Sequence, residues 1–174
     1  RMDVALARET SVVPLLEAPK ETLLNKAFIT EPDRTAEFCP RCGSRGEPVA
    51  GETLLAHLPL GIRDAISDPA SFCPSPRCQV VYFDVFERSV LASDLQQPIY
   101  PKDLTAPICP CFGLTCGDIE QDVEEGVVTR TKAALEKAKS AGARCRQLAP
   151  NGRSCVPHVQ KCYLECLARS QQAK

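Results

Sequence analysis

The sequence predicts an α+β fold, in which a small β-rich unit is followed by a unit of three helices. Residues 80–86 read Val-Val-Tyr-Phe-Asp-Val-Phe, a β-branched and aromatic run that is typical of a buried strand. Residues 116–171 carry helix signals, namely capping residues, terminal glycines and apolar residues four apart. The 11 cysteines lie after residue 38 in closely spaced groups. These features together favour two small units over one large layered fold.

The composition is that of a globular chain and disfavours several classes of protein. Apolar residues make up 44% and charged residues 25%, and the formal net charge is −1. A nucleic-acid-binding protein would show a basic surplus, and no apolar run approaches the roughly 18 residues of a membrane span. The first nine residues are too charged for the apolar core of a signal peptide. We therefore expect a cytoplasmic protein with no nucleic-acid partner and no membrane span.

The first half of the chain divides into an arm and a cysteine unit. Residues 1–36 are predicted to be an N-terminal arm or linker, since this segment has no apolar core of its own. The unit at 37–88 begins with a Cys-Pro-Arg-Cys-Gly turn. Residues 53–58 are predicted as a strand and 60–67 as a short helix that ends before Pro69. A second cysteine turn then leads into the strand at 80–86.

The second half is predicted to be a connector followed by the helical unit. Three prolines within 89–108 indicate an extended connector. The unit at 109–174 has a helix at about 116–125, for which Thr115 and Asp118 form a capping box. Thr129 is the expected cap of a second helix at 130–140. A polar loop at 144–154 precedes the third helix, at about 156–171.

The spacing of the cysteines indicates metal centres rather than disulfides, because the count is odd and the pairs are close-set. Two pairs, with two and four intervening residues, are separated by 30 residues. Four thiolates around one tetrahedral ion make a closed structural zinc site, and mononuclear iron fits the same ligands. A lone histidine in an apolar pattern, His57, is the rival ligand and is left out. The predicted zinc ligands are Cys39, Cys42, Cys73 and Cys78.

A second centre is predicted in the helical unit. Only one residue separates Cys109 from Cys111, so both thiolates can hold the same iron of a cluster. The 144–154 loop and its flanks supply Cys145 and Cys155 as a complementary pair, and four cysteines bind a 2Fe–2S cluster in its usual form. Zinc is the competing metal here, and the spacing alone leaves other thiols available. His158 is a less favoured ligand.

These residues resemble a known family. Cys109-x-Cys111, with 33 residues to Cys145 and nine more to Cys155, is similar to the 2Fe–2S unit of bacterioferritin-associated ferredoxins. Within that group the chain resembles the N-terminal domain of the CopZ copper chaperones, where a zinc pair precedes the cluster and a Cys-x4-Cys turn runs into a β-branched strand. The resemblance covers about residues 37–168. It does not extend to the copper-binding C-terminal domain of those chaperones, whose Met-x-Cys-x-x-Cys loop does not occur in these 174 residues.

The resemblance implies both the ligands and the function. It assigns zinc to the first four cysteines and the 2Fe–2S cluster to Cys109, Cys111, Cys145 and Cys155. It implies copper trafficking or Cu(II) reduction with the cluster as one-electron donor. The implied partners are a copper-exporting P-type ATPase or a redox protein. The alternative is a ferredoxin-like electron-transfer or structural iron–sulfur subunit of a larger assembly.

Three cysteines remain outside both predicted centres. Cys162 and Cys166 are four apart and share one helix face, and together with Cys116 they form a candidate soft-metal site for Cu+. The competing interpretation is that they are small core residues. No catalytic constellation is visible in the sequence, so we expect at most a redox module.

Overall fold

A four-stranded antiparallel sheet lies at the centre of the first unit in the computed structural model, which describes residues 36–172. The strands are β1 (Glu47–Val49), β2 (Ala70–Phe72), β3 (Val80–Asp84) and β4 (Ser89–Leu91), and they pair in that order. Every residue of β3 is buried. An inner strand with both faces covered has no polar face, which explains its continuous apolar pattern.

The strand predicted at 80–86 is confirmed over residues 80–84, but the strand predicted at 53–58 is wrong. Those residues belong to helix α1 (Gly51–His57), which buries Thr53 and Leu54. One helical turn, α2 (Leu60–Arg63), follows where a longer helix was predicted. Six apolar residues cannot distinguish a strand from a helix by themselves. Here packing against the sheet and against the later loop selects the helix.

The sheet also extends into the range that was predicted to be a connector. Strand β4 pairs with β3, with Leu91 opposite Val80 and Ser89 opposite Phe83. Strands β1, β2 and β4 have three residues each, too few to show a periodicity of two. Residues 1–35 of the predicted arm lie outside the described residues.

The helical unit contains α3 (Cys116–Glu124), α4 (Thr129–Ala138), α5 (Cys145–Leu148) and α6 (Val156–Gln172). The predicted capping box of α3 is confirmed. Thr115 Oγ1 accepts from the backbone N–H of Asp118 at 3.1 Å, and Asp118 Oδ2 accepts from the backbone N–H of Thr115 at 2.8 Å. Helix α5 is a single turn inside the loop that was predicted to be irregular.

The predicted cap of α4 is wrong. Thr129 lies inside the first turn, and the N-cap residue, Val128, has no side-chain acceptor. The carboxylate of Asp122, on α3, accepts from the backbone N–H groups of Arg130 at 3.3 Å and Thr131 at 2.8 Å. A neighbouring helix therefore satisfies the free N–H groups that a local cap would otherwise satisfy.

The described residues form a single compact body. Within it, the loop that carries Cys145 and Cys155 packs against the β-rich unit. Tyr82 Oη donates to the carbonyl of Pro150 at 2.8 Å, and Thr53 Oγ1 donates to the carbonyl of Arg146 at 2.6 Å. The sheet therefore helps to position a loop some 70 residues later in the chain. Between residues 36 and 172, no helix is long and apolar enough to cross a membrane.

Candidate metal centres

The first centre begins with a tight turn at residues 39–44. The backbone N–H of Cys39 donates to the carbonyl of Ser44 at 2.9 Å, and that of Gly43 donates to the carbonyl of Cys39 at 2.9 Å. Gly43 has a φ of 68°, which glycine adopts at no steric cost. The turn brings the thiols of Cys39 and Cys42 to one side of the chain. The predicted knuckle is thereby explained by two backbone hydrogen bonds and one glycine.

The four predicted zinc ligands come together in the structure. Their sulfur atoms all lie within 4.8 Å of one another. The Sγ atoms of Cys39 and Cys78 are 3.9 Å apart, and those of Cys42 and Cys73 are 3.6 Å apart. A tetrahedral zinc ion with Zn–S bonds of about 2.3 Å requires sulfur atoms about 3.8 Å apart. The geometry of the thiols therefore fits one tetrahedral ion.

Three of these four thiols are buried, and their surroundings affect their pKa values. Burial raises the pKa of Cys73 to about 12, although the backbone N–H of Ser75 and the charge of Lys102 oppose the shift. At the exposed Cys42, hydrogen bonding with the Ser44 side chain lowers the pKa to about 6. Thiolates bind the ion and thiols do not, so metal binding must displace the protons of the buried members.

Two other residues lie near this centre: His57 was a candidate ligand from the sequence, and Lys102 was not. His57, the rival ligand, is not part of the four-sulfur group. Its ring packs against Tyr82 with centroids 6.3 Å apart, and burial lowers its pKa. Lys102 was missed: its Nζ donates to the carbonyl of Ser75 at 2.7 Å, inside the second cysteine turn. No local signal could have found it, since 27 residues separate the pair.

The second centre opens with a turn of the same backbone design. The backbone N–H of Cys109 donates to the carbonyl of Leu114 at 3.1 Å, and that of Gly113 donates to the carbonyl of Cys109 at 2.9 Å. Gly113 has a φ of 72°. The second cysteine of this turn is two residues after the first, whereas in the 39–44 turn it is three residues after. Cys111 therefore occupies the position that Arg41 has in the first turn.

This shift of one residue determines which thiols meet. The Sγ of Cys111 lies 4.0 Å from the Sγ of Cys145. Burial raises the pKa of Cys155, and a hydrogen bond with Cys109 raises it further. The hydrogen-bonded pairs are therefore Cys111 with Cys145 and Cys109 with Cys155. The expectation from the sequence that Cys109 and Cys111 hold the same iron stays a prediction.

The thiols of this second set are spread more widely than those of the first. Among residues 36–172, only the first set has three or more ligand atoms that all lie within 4.8 Å of one another. Cys109 and Cys155 are buried, while Cys111 and Cys145 are partly exposed. One side of this thiol group therefore faces the core and the other reaches the surface.

The three remaining cysteines also come together. Cys116 is the first residue of α3, and Cys162 and Cys166 lie on α6. A hydrogen bond with Cys162 lowers the pKa of Cys116, and the same bond raises the pKa of Cys162. Arg169 Nη2 donates to the Sγ of Cys166 at 3.2 Å.

The first unit matches a known protein family. Residues 36–96 match the family of CopZ-type zinc binding domains. The match contains all four clustered cysteines of the first centre and all four strands of the sheet. This part of the chain is therefore similar to zinc binding domains of the CopZ type.

Two comparisons extend the similarity beyond that domain. The chain is 27% identical over 126 residues to the copper chaperone CopZ of Archaeoglobus fulgidus, a match that covers 71% of this chain and 60% of the chaperone. The X-ray structure of the Archaeoglobus fulgidus CopZ N-terminal domain has the same fold, with a TM-score of 0.61. At 24% identity it covers 71% of this chain and 95% of that domain. The chain thus matches about three-fifths of the chaperone's length.

Proposed function

We propose that this protein handles copper, with zinc at the first centre and a 2Fe–2S cluster at the second. The observation that carries the proposal is the four-sulfur group of the first centre, and the 4.0 Å approach of the Cys111 and Cys145 sulfur atoms supports the second centre. The similarity to a copper chaperone supports the copper cargo. On this proposal the protein is cytoplasmic, and its partners are a copper-exporting P-type ATPase and a redox protein.

The first centre has a structural role in this proposal. Four thiolates leave no open position on a tetrahedral zinc ion, so the ion stabilises the fold and takes no part in chemistry. Its ligands belong to the same core as Val80 and Phe83 of β3. Zinc therefore joins the turn at residues 39–44 to the inner strand of the sheet, which lies about 40 residues later.

The residues of the second centre fit a two-iron cluster better than a single ion. Four thiolates are available, as a 2Fe–2S cluster requires, and their wider spread leaves room for more than one metal atom. Helix α6 begins directly after Cys155, so its free N–H groups face the anionic site. The cluster would supply one electron at a time, enough to convert one Cu(II) to Cu(I).

The residues around the second centre determine which of its sides is accessible for electron transfer. Burial of Cys109 and Cys155 keeps water from one side of the centre. Cys111 and Cys145 are partly exposed and provide the edge that a redox partner or a copper ion can approach. The backbone of Arg144 hydrogen bonds to the Cys111 thiolate, and this bond opposes the rise in pKa that burial of Cys111 causes. Arg146, by contrast, pairs with Glu52 at 2.6 Å and faces the first unit.

Metal analysis and EPR spectroscopy of the anaerobically purified full chain test the proposal. We expect one zinc and two irons per chain, a coloured oxidised state and an EPR signal after reduction by one electron. The Cys109→Ser variant should lose the iron and keep the zinc. The Cys73→Ser variant should lose the zinc and unfold at a lower temperature, because Cys73 is fully buried among the ligands.

The outcome at the second centre separates three interpretations. A colourless protein with two zinc ions would contradict the cluster. Adding Cu(II) to the reduced protein should oxidise one centre for each Cu(I) formed, as measured with a Cu(I)-specific dye. A protein that holds the cluster but neither reduces nor binds copper would instead favour the ferredoxin-like electron-transfer subunit.

A further inference from the structure

We propose that the thiols of Cys116, Cys162 and Cys166 form a separate, exchangeable Cu(I) site, here called the α3–α6 thiol site. The choice of Cu(I) as the cargo rests on the proposed function. The site itself stands on the arrangement of three thiols, one arginine and one pocket. It shares no ligand with the two four-thiol centres.

Two helices bring these thiols together. Cys162 and Cys166 are one turn apart on α6, about 6 Å along the axis, and they point to the same face. Cys116 lies at the start of α3, which packs against α6, and it lines the same pocket as Cys162. Thiolates are soft ligands that suit Cu(I), as they also suit zinc and iron–sulfur clusters. Two or three thiolates from different helices provide the low coordination number that this ion accepts.

The spread of the three thiols distinguishes this site from the zinc centre. They do not form a group in which every sulfur lies within 4.8 Å of the others, as the first four thiols do. Two of the thiols can hold a two-coordinate ion, and the third must move closer before it binds. Cys116 and Cys162, which line one pocket, are the first thiols that the ion contacts, and Cys166 is the third donor.

Burial raises the pKa of the third donor, Cys166, and the side chain of Arg169 opposes that shift. Arg169 donates from Nη2 both to the Sγ of Cys166 at 3.2 Å and to Glu120 Oε1 at 2.8 Å. A buried thiolate without a cation would be costly. The guanidinium group offsets this cost, and together with Cu(I) it compensates most of the charge of three thiolates. Since Arg169 is largely exposed, it can move aside when cargo leaves.

The site opens to the surface, as an exchange site requires. A pocket of about 910 Å³ lies beside it. Cys116 and Cys162 line this pocket, together with Tyr100 and the carboxylates of Glu120 and Glu165. Cys166 is buried behind them. Cys116 is partly exposed whereas Cys162 is buried, so a partner's thiol would reach Cys116 first.

The same helix face connects the α3–α6 thiol site with the second centre. Cys155, Val159, Cys162 and Cys166 follow one another at helical spacing, and all four are buried in one core. Cys162 is seven positions after Cys155 in the chain, which corresponds to about 10 Å along the helix axis. Tyr100 lies beside the pocket and also packs edge-on against His158, with ring centroids 6.0 Å apart. Copper bound here would be close to the second centre without displacing its ligands.

An anaerobic Cu(I) titration of the metal-loaded full chain tests this inference, with bathocuproine disulfonate as the competing chelator. We expect one tight Cu(I) equivalent per chain, with zinc and iron contents unchanged. The Cys116→Ser/Cys162→Ser variant should lose at least about 100-fold in affinity, since removal of a group that merely orients a ligand already costs about 10–100-fold. Copper X-ray absorption should show only sulfur ligands.

Matched variants keep the result interpretable. Ala168→Ser alters the wall of the same pocket without removing a thiol, so its affinity for Cu(I) should not change. Cys116→Ser is conservative at a half-buried helix start, and it should weaken binding even if the double variant does not fold. In the wild-type protein, Cu(I) should protect Cys116 and Cys162 from alkylation, as measured by mass spectrometry. Absence of that protection would overturn the inference.

Failure of this inference can be told apart from failure of the proposed function. If tight Cu(I) binding survives in both Cys116→Ser and the double variant, copper is held elsewhere and the α3–α6 thiol site is refuted, while copper handling stands. If the wild-type chain binds no Cu(I), the inference is refuted directly. If the chain binds Cu(I) at these thiols but contains no iron, the inference stands and the proposed cluster fails.

Discussion

At the scale of single residues, the most tightly held charge in the first unit is the carboxylate of Asp84, at the end of β3. It accepts from the backbone N–H groups of Ser67, Phe86 and Arg88 and from the guanidinium of Arg88 at 2.7 Å. Burial would raise the pKa of this carboxyl, but these hydrogen bonds outweigh burial and lower it. A charged group in the core is therefore compensated jointly by three backbone donors and the Arg88 guanidinium.

Replacing Asp84 with Asn should destabilise the protein by about 3 kcal/mol, because one of the two acceptor oxygens becomes an NH2 donor and Arg88 loses the negative charge that it pairs with. The pKa of the folded state is below the unfolded value of 3.8. The stabilisation from Asp84 is therefore present above pH 3.8 and is lost as pH falls through the folded pKa. Urea unfolding between pH 7 and pH 2.5 measures both effects.

The matched control is Asp64→Asn, because Asp64 is exposed at the end of α2. This change should alter the free energy of unfolding by less than about 0.5 kcal/mol. Equal losses for the two variants would show that the hydrogen bonds of Asp84 contribute nothing specific.

At the scale of secondary-structure elements, helix ends are satisfied both locally and at long range. Helix α3 has its own capping box, which the sequence predicts from Thr115 and Asp118. Helix α4 has none, and Asp122 of α3 supplies the acceptor instead. The sequence does not reveal this arrangement, because a capping rule examines only neighbouring residues.

Replacing Asp122 with Ala should destabilise α4 by about 2 kcal/mol, because two buried N–H groups and the Arg130 guanidinium lose their acceptor. Hydrogen exchange should accelerate first in residues 129–135, followed by the rest of the helical unit. The exposed Glu124, in the last turn of the same helix, provides the control: Glu124→Ala should leave exchange in α4 unchanged. Protection of α4 that is identical in both variants would argue against this cap.

The element that the sequence predicts incorrectly, residues 53–58, illustrates how tertiary packing overrides a local pattern. The predicted strand is helix α1, whose Thr53 is buried against the loop that carries Cys145. A strand would expose this hydroxyl group or leave it without its acceptor, the carbonyl of Arg146. The local choice therefore depends on a partner 93 residues away.

At the scale of the whole molecule, close packing between the two units positions the second centre. Gly152 has a φ of 65°, and a Cβ placed there would lie 2.8 Å from Thr53 Oγ1. Asn151 Nδ2 donates to Glu47 Oε2 at 2.7 Å at the same junction. The backbone of the cysteine-bearing loop therefore approaches α1 so closely that only glycine fits.

Replacing Gly152 with Ala should cost more than about 2 kcal/mol, because it combines an unfavourable φ with a steric clash. The loop would have to withdraw from α1, and hydrogen exchange should accelerate across residues 145–151. Iron retention should fall if the second centre depends on this contact. Gly142→Ala is the control, since the space around Gly142 is nearly open and its φ is not left-handed. It should leave stability and iron content almost unchanged.

The sequence by itself determined the fold class, the long helices, the inner strand and the four thiols that lie together at the first centre. Each of these depends on spacing within one short segment, or on two pairs of cysteines whose chemistry leaves few options. The capping box of α3 and the strand at 80–84 were predictable for the same reason.

Only the tertiary structure decided which thiols of the second set hydrogen bond to each other, that the three remaining cysteines converge, and that Lys102 and Asp122 act on distant segments. Spacing could not rank Cys145 and Cys155 against the other thiols. Their positions depend on hydrogen bonds such as that from Tyr82 to Pro150, which join segments about 70 residues apart. Such contacts are fixed by the packing of whole units, and packing leaves no periodic signal in the sequence.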